Sequence, residues 1–175
     1  MSGSRRRIRR RCCYLHKHLL SRVRVAAFHP LAGEAADAAA ECRRYAALLA
    51  AAPADLVCLG IGENGHLAFN DPPMADFKDP ELVKIVELDE ACRRQQVNDG
   101  CFATFDDVPR RALTLTIPAL RGARTVIGTV AGPRKAAAVR AALHGPVSTV
   151  CPASIPRTHA NATVHLDAAA SAQVV

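Results

Sequence analysis

The sequence predicts a three-layer α/β fold built on a mostly parallel, doubly wound sheet. Three observations predict it. Apolar runs of strand length alternate along the chain with alanine-rich stretches of helical period. Half of the 175 residues are hydrophobic and 22% are charged, which supplies a core and excludes a mainly disordered chain. The length suits one domain, placed at residues 14–175 behind a basic tail of residues 1–13.

Taken in order, residues 5–11 (Arg-Arg-Arg-Ile-Arg-Arg-Arg) are too charged to pack and read as a solvated tail. Tyr14–Val25 is amphipathic and predicts a short helix. Residues 35–51 carry alanine with apolar residues at helical spacing and predict a helix that Pro53 ends. Asp55–Gly60 reads as a fully buried strand. Residues 61–80, rich in Gly, Asn, Asp and Pro, form a long irregular stretch of the kind that carries function in compact domains. Val83–Leu88 is a strand, followed by a short helix near Asp89–Val97. Ala112–Ile117 alternates as a strand, and Pro118 starts a helical turn. Thr125–Val130 is another buried strand. Gly132-Pro133 opens a helix that runs to about Leu143 and stops at Gly145-Pro146. Ala162–Leu166 is the last strand, and Asp167 caps a final alanine-rich helix. In such sheets ligands bind beyond the carboxyl ends of strands, and the loops at 60–73 and 131–135 both follow strands.

The net charge of +7 is unevenly placed. Nine of the 23 bases lie in residues 1–33 with no acid, and the remainder of the chain carries a net −2. A nucleic-acid role would rest on the tail alone, so none is expected. The seven cysteines are odd in number, irregularly spaced and without a Cys-x-x-Cys pair, which argues against a disulfide framework or a zinc site. The histidines share no metal-ligand spacing either, so no metal is expected. No apolar run reaches the ~18–20 residues of a membrane-spanning helix, and no secretory segment is visible. A cytoplasmic protein is expected. The Arg-rich start matches an organellar transit peptide in composition, although an extension without structural importance is the preferred reading.

The chemistry concentrates after the first buried strand. Gly60-Ile-Gly62-Glu63-Asn64-Gly65 has the spacing of a dinucleotide fingerprint. That motif needs a helix to open at its third glycine, and Asn70, Asp71, Pro72 and Pro73 forbid one. The same segment suits a catalytic loop. Its glycines let backbone approach a ligand, and His66 is the residue type that titrates nearest neutral pH. Asp71, across a turn, places a carboxylate within reach of the imidazole, where it favours the imidazolium and fixes the tautomer. Chemistry alone leaves a structural and a catalytic reading of this pair both open. Lys135 stands in the first turn of a helix after a buried strand, where free amides, the dipole and the ammonium all favour an anion. Arg134 beside it reads equally well as a solvated cation.

The run Leu59-Gly-Ile-Gly-Glu-Asn-Gly-His66-Leu-Ala-Phe-Asn70-Asp71-Pro72 resembles the signature loop of the glucosamine-6-phosphate deaminase/isomerase family. The resemblance continues through Asp107-Val-Pro109, Ala112–Thr116, Gly132-Pro-Arg-Lys135-Ala136, Cys151–Ser154, His159 and Leu166-Asp167. It spans about residues 29–175, and more weakly 14–28. It implies a Rossmann-like sheet, truncated at its N-terminal side. It also implies conversion of glucosamine 6-phosphate to fructose 6-phosphate and ammonia, by ring opening and C2-to-C1 proton transfer, without metal or organic cofactor. His66 matches the histidine that assists ring opening, and Asp71 an acidic position, usually glutamate, that tunes it. Asn64 stands where the best-known members carry aspartate; with Gly62 and Gly65 it forms the substrate loop. Lys135 matches a phosphate-binding lysine. Arg93 and Arg94 lie where a second phosphate-binding arginine is placed, with Gln96 nearer the expected position. His159 matches a fold-supporting histidine, and His165 reads as structural or exposed.

The sister 6-phosphogluconolactonases share the fold and the start of this loop but typically lack its Phe-Asn-acid-Pro continuation. The family's N-terminal half also supplies a Gly- and Ser/Thr-rich phosphate loop and an Asp-Glu-Tyr segment whose aspartate removes the C2 proton. Neither occurs in these 175 residues. An unpaired sheet edge, exposed apolar surface and impaired C2 proton transfer are therefore expected. The alternatives are a lactonase-like or other sugar-phosphate enzyme of the same fold, and an inactive sugar-phosphate-binding homologue. The expected partner is a small sugar phosphate, with homo-oligomerisation left open.

Overall fold

The computed structural model describes residues 15–174. The basic tail and Tyr14 lie outside the described residues. What is described of the expected first helix is one π-helical turn, His16–Leu20, with no buried residue. A single turn with no apolar face covered lacks the tertiary packing that sustains most helices.

Helix α1 (Ala38–Ala51) starts at Asp37, whose side chain accepts the Ala40 N–H at 2.9 Å. Its buried Glu41 accepts the Ala32 N–H at 2.7 Å and pairs with Arg44 Nε at 2.6 Å, pinning the incoming chain to the helix. The Arg44 side chain, followed by the Ala32 N–H, holds the Glu41 carboxyl down at about 2.

Three strands form a parallel sheet in the order β1 (Leu56–Leu59), β4 (Thr125–Val130), β5 (Ala162–Leu166). The register pairs Leu56 with Thr125 and Val126 with Ala162. Ile61, Leu67, Ile117, Leu120, Val139 and Ala170 build the main core, against which Val57, Leu59, Val164 and Leu166 pack. The parallel α/β architecture read from the sequence is present in these strands. The other two strands differ from it. β2 (Val83–Glu87) and β3 (Arg111–Leu115) pair antiparallel as a separate two-stranded sheet. They pack on α1 through Cys42, Val83 and Leu113, so their apolar residues are spent on a second, smaller core.

Strand β1 also differs: it is only half covered. Leu56 is 50% exposed and Cys58 is exposed, while Val57 and Leu59 face the core. Among the described residues β1 is hydrogen-bonded on one side only, so its outer backbone edge is unpaired, and no described element covers the Leu56 and Cys58 face.

Helix α2 (Glu90–Asn98) is capped by Asp89, and α3 (Ile117–Arg121) by Thr116. After β4 the chain makes a 3-10 turn, Pro133–Lys135, before α4 (Ala136–His144), so Lys135 stands at the helix threshold. The final alanine-rich segment is a run of turns instead of a helix. Asp167 does cap it, accepting Ala170 N–H at 2.7 Å, but the same carboxylate also accepts the Gly132 N–H from the turn after β4. That shared carboxylate ties the ends of β4 and β5 together below the Lys135 turn.

Candidate active site

The loop that leaves β1 folds on itself through two short bonds, Gly62 N–H to His66 C=O and Gly65 N–H to Gly62 C=O, each 3.0 Å. Gly65 has φ +82°, and a Cβ there would lie 2.9 Å from Cys151 Sγ. At Gly62 a Cβ would lie 2.3 Å from His66 Cε1, so the imidazole rests on bare backbone. No helix opens at Gly65; the segment continues as turns, and the dinucleotide reading fails on its own requirement. Asn70, fully buried, donates to the carbonyls of Leu67 (2.9 Å) and Leu115 (2.8 Å), while Phe69 N–H reaches Thr114 Oγ1 at 3.0 Å. These bonds fasten the loop to the end of β3.

A Gly62→Ala substitution is expected to push the His66 ring out of this seat. Overpacking of this kind costs ~1–3 kcal/mol. Denaturant titration measures the cost, and the His66 ring resonances report the displacement.

The structure brings His66 and Asp71 together as expected. Their Nδ1 and Oδ1 atoms stand 2.9 Å apart, with the Asp71 side chain wholly buried and that of His66 8% exposed. The two atoms are close without meeting hydrogen-bond geometry, so His66 Nδ1 has no hydrogen-bond partner. Asp71 Oδ1 also accepts Asn64 Nδ2 at 3.0 Å, and Oδ2 accepts the Asp89 N–H at 3.3 Å. Burial pushes the Asp71 carboxyl up, but His66, Asn64 and the Asp89 N–H together hold it below the ordinary aspartate value. Asp71 is thus a carboxylate at neutral pH.

Spacing in the chain hides two neighbours. Asp89 accepts Asn64 Nδ2 at 2.9 Å, and Cys92, with no exposed surface, brings its sulfur within 4.8 Å of the His66 and Asp71 donor atoms. His66, Asp71 and Cys92 are the one three-residue set among the described residues with donors suited to a metal ion. Two ligands of a tetrahedral zinc ion stand about 3.3 Å apart at metal–ligand distances of ~2.0 Å. The 2.9 Å contact is closer than that, so these two atoms do not stand at the separation of two zinc ligands.

His66 lines a cavity of about 350 Å³ together with Gly62, Gln95, Gln96, Asp99 and Thr114. That size suits a small polar ligand. Gln95 Oε1 accepts the Glu63 N–H at 2.9 Å, which joins α2 to the glycine loop.

Lys135 presents a buried ammonium without a hydrogen-bond partner. Burial lowers its pKa, opposed by the nearby carboxylates of Glu63 and Asp99. An unpaired buried cation is costly until an anion arrives. Arg134 is engaged instead, with Nε 3.2 Å from Glu63 and a terminal nitrogen 3.1 Å from Asp99.

The candidate arginines of α2 serve elsewhere. Arg93 lies over the Phe105 ring at 3.9 Å and donates to the carbonyls of Phe105 and Val108. Arg94 is on the surface, paired with Glu90. Gln96, between them and the glycine loop, is the buried cavity residue. His159 braces the fold: its Nε2 stands 2.9 Å from the Ala123 carbonyl and its Nδ1 accepts the Asn161 N–H. His165 is exposed on β5.

The family of glucosamine-6-phosphate isomerases and 6-phosphogluconolactonases matches over residues 6–165. A glucosamine-6-phosphate deaminase of Bacillus thuringiensis (strain Al Hakam) is 43% identical over 135 residues, which are 77% of this chain and 50% of the relative. The enzyme of that name from Bacillus cereus (strain B4264) is 44% identical over the same shares. The chain therefore spans about half the length of these curated relatives. The solved structure of a monomeric glucosamine-6-phosphate deaminase superposes with a TM-score of 0.83 at 32% identity, covering 91% of this chain and 66% of that one. A 6-phosphogluconolactonase of Trypanosoma brucei shares the fold, with a TM-score of 0.61 at 20% identity over 89% and 59% of the two chains. On the match over residues 6–165, the chain belongs to the glucosamine-6-phosphate isomerase/6-phosphogluconolactonase family.

Proposed function

We propose that these residues form the ring-opening and phosphate-binding part of a glucosamine 6-phosphate isomerase/deaminase site, in a cytoplasmic setting. The observation that carries the proposal is the His66–Asp71 pair, 2.9 Å apart, in which His66 lines the cavity and Asp71 lies buried behind it. In this reading His66 relays a proton between the sugar's ring oxygen and its C1 hydroxyl as the pyranose opens. Asp71 stays ionised, orients the imidazole and stabilises the imidazolium that forms. Asn64, Gly62 and Gly65 shape the backbone around the sugar. Lys135 binds the phosphate, which supplies the anion its buried ammonium lacks. The relatives named glucosamine-6-phosphate deaminase support this choice of substrate. Among the described residues no helix is long and apolar enough to cross a membrane.

Calorimetric titration of the chain with glucosamine 6-phosphate, 6-phosphogluconate and glucosamine tests the reading. Saturable binding of glucosamine 6-phosphate that glucosamine does not share is the expected result. Preference for the gluconate would favour a lactonase, and absence of binding by folded protein would overturn the site.

A further inference from the structure

We infer that Asp89 is a positioning residue for His66, acting through the amide of Asn64; the inference rests on the reading of His66 as the proton-transfer group. The Asn64 amide stands between two carboxylates. Its Nδ2 donates to Asp71 Oδ1 at 3.0 Å and to Asp89 Oδ2 at 2.9 Å, while its Oδ1 accepts the His66 N–H at 3.0 Å. Both amide hydrogens and the amide oxygen are in use, so the side chain has one workable orientation. A flipped amide would turn its oxygen on both carboxylates. Asp89 thereby fixes Asn64, and Asn64 fixes both the His66 backbone and the Asp71 oxygen that faces its ring.

Asp89 closes the circuit from its own backbone, donating N–H to Asp71 Oδ2 at 3.3 Å. Its second carboxylate oxygen accepts the Cys92 N–H at 2.6 Å and caps α2. The glycine loop and the N-terminus of α2 are thus clamped by one side chain that also adds a second negative charge behind the imidazole. Asn64 and Asp89 form a matched pair. Aspartate at position 64 would bring three carboxylates together with no hydrogen between them.

Opposite electrostatic effects follow from changing either member. The groups that face His66 are Asp71 from its own loop, Cys92 from α2 and, behind Asn64, Asp89. Glu63 and the Lys135 ammonium lie further round the same cluster. Asp89→Asn removes one negative charge and Asn64→Asp adds one.

The test is a pH titration of the His66 ring by NMR on the full chain with nitrogen-labelled histidine. Asparagine is as good a helix cap as aspartate, so Asp89→Asn retains α2. It is expected to move the ring's titration midpoint down by roughly 0.5–1 pH unit, and Asn64→Asp to move it up by a similar amount. Asp89→Ser, also a cap without charge, is expected to follow Asp89→Asn, and stands in should Asn64→Asp fail to fold. Midpoints that stay fixed, or that move in the same direction in Asp89→Asn and Asn64→Asp, overturn the inference. The titration needs no substrate, so a failed function assay and a failed positioning role are separate results. If the enzyme reading holds, Asp89→Asn also lowers kcat about tenfold with KM unchanged, which is the signature of a misplaced proton-transfer group.

Discussion

Replacing Lys135 by Met is expected to weaken binding of glucosamine 6-phosphate by about 10–100-fold, while raising the stability of the unliganded chain. A charge-assisted bond to phosphate is worth ~1.5–3 kcal/mol, which sets the loss. The gain has a different origin. The Lys135 ammonium is buried and unpartnered, and burial already lowers its pKa. Met keeps the aliphatic stem and removes the desolvated charge. Calorimetric titration measures the first effect and denaturant unfolding the second. Binding and stability moving in opposite directions would identify Lys135 as a residue kept for its ligand. A loss of both would make it a structural cation.

The larger chemical effect is expected at Asp71. Asp71→Asn leaves the size of the side chain unchanged but removes the carboxylate beside the imidazole. It also puts an NH2 where one carboxylate oxygen now accepts, so either the Asn64 Nδ2 bond or the Asp89 N–H bond loses its acceptor. Ring opening is expected to slow by ~10²–10⁴, the usual worth of a positioned acid–base group. A pH signature accompanies the loss. Asp71 titrates below its unfolded value of 3.8, so it stabilises the fold above that pH. The contribution fades as pH falls through the lowered value. Unfolding measured from neutral to acid pH should therefore lose slope in Asp71→Asn below about pH 4. An unchanged profile would mean that His66, Asn64 and the Asp89 N–H together give the Asp71 carboxylate no net stabilisation.

The legible parts of this molecule were those in which local sequence carries the physics. The helices over 35–51 and near Asp89–Val97 were legible because alanine content and helical spacing are local, and Asp37 and Asp89 cap them in the structure. His66 and Asp71 were legible as a pair because one turn joins them. Strand direction was not, since alternation of apolar residues is the same for parallel and antiparallel partners, and β2–β3 therefore departs from the expected sheet. Nor does an apolar run say how many of its faces are covered, which is why β1 read as fully buried. Arg93 stayed an open candidate in the sequence because a guanidinium suited to phosphate is equally suited to the aromatic ring and two carbonyls it meets here. Asp89 and Cys92 lie on another element, and only the packing of α2 on the glycine loop makes them part of the site. Asn64 looked like a loss of charge when read alone; with Asp89 beside it, the amide is the group that lets two carboxylates share one site.

In the proposed reading, His66, held by Asp71, opens the ring of an amino-sugar phosphate. The most direct measurement is the rate of anomer exchange of glucosamine 6-phosphate, labelled at C1 and followed by exchange NMR with the chain and with His66→Ala. Release of ammonia and fructose 6-phosphate is recorded in the same samples. The expected result is exchange accelerated by the chain and reduced to the solution rate in His66→Ala, with binding of the phosphate retained. Acceleration that survives His66→Ala, or a folded chain that binds the sugar phosphate without accelerating exchange, would contradict it.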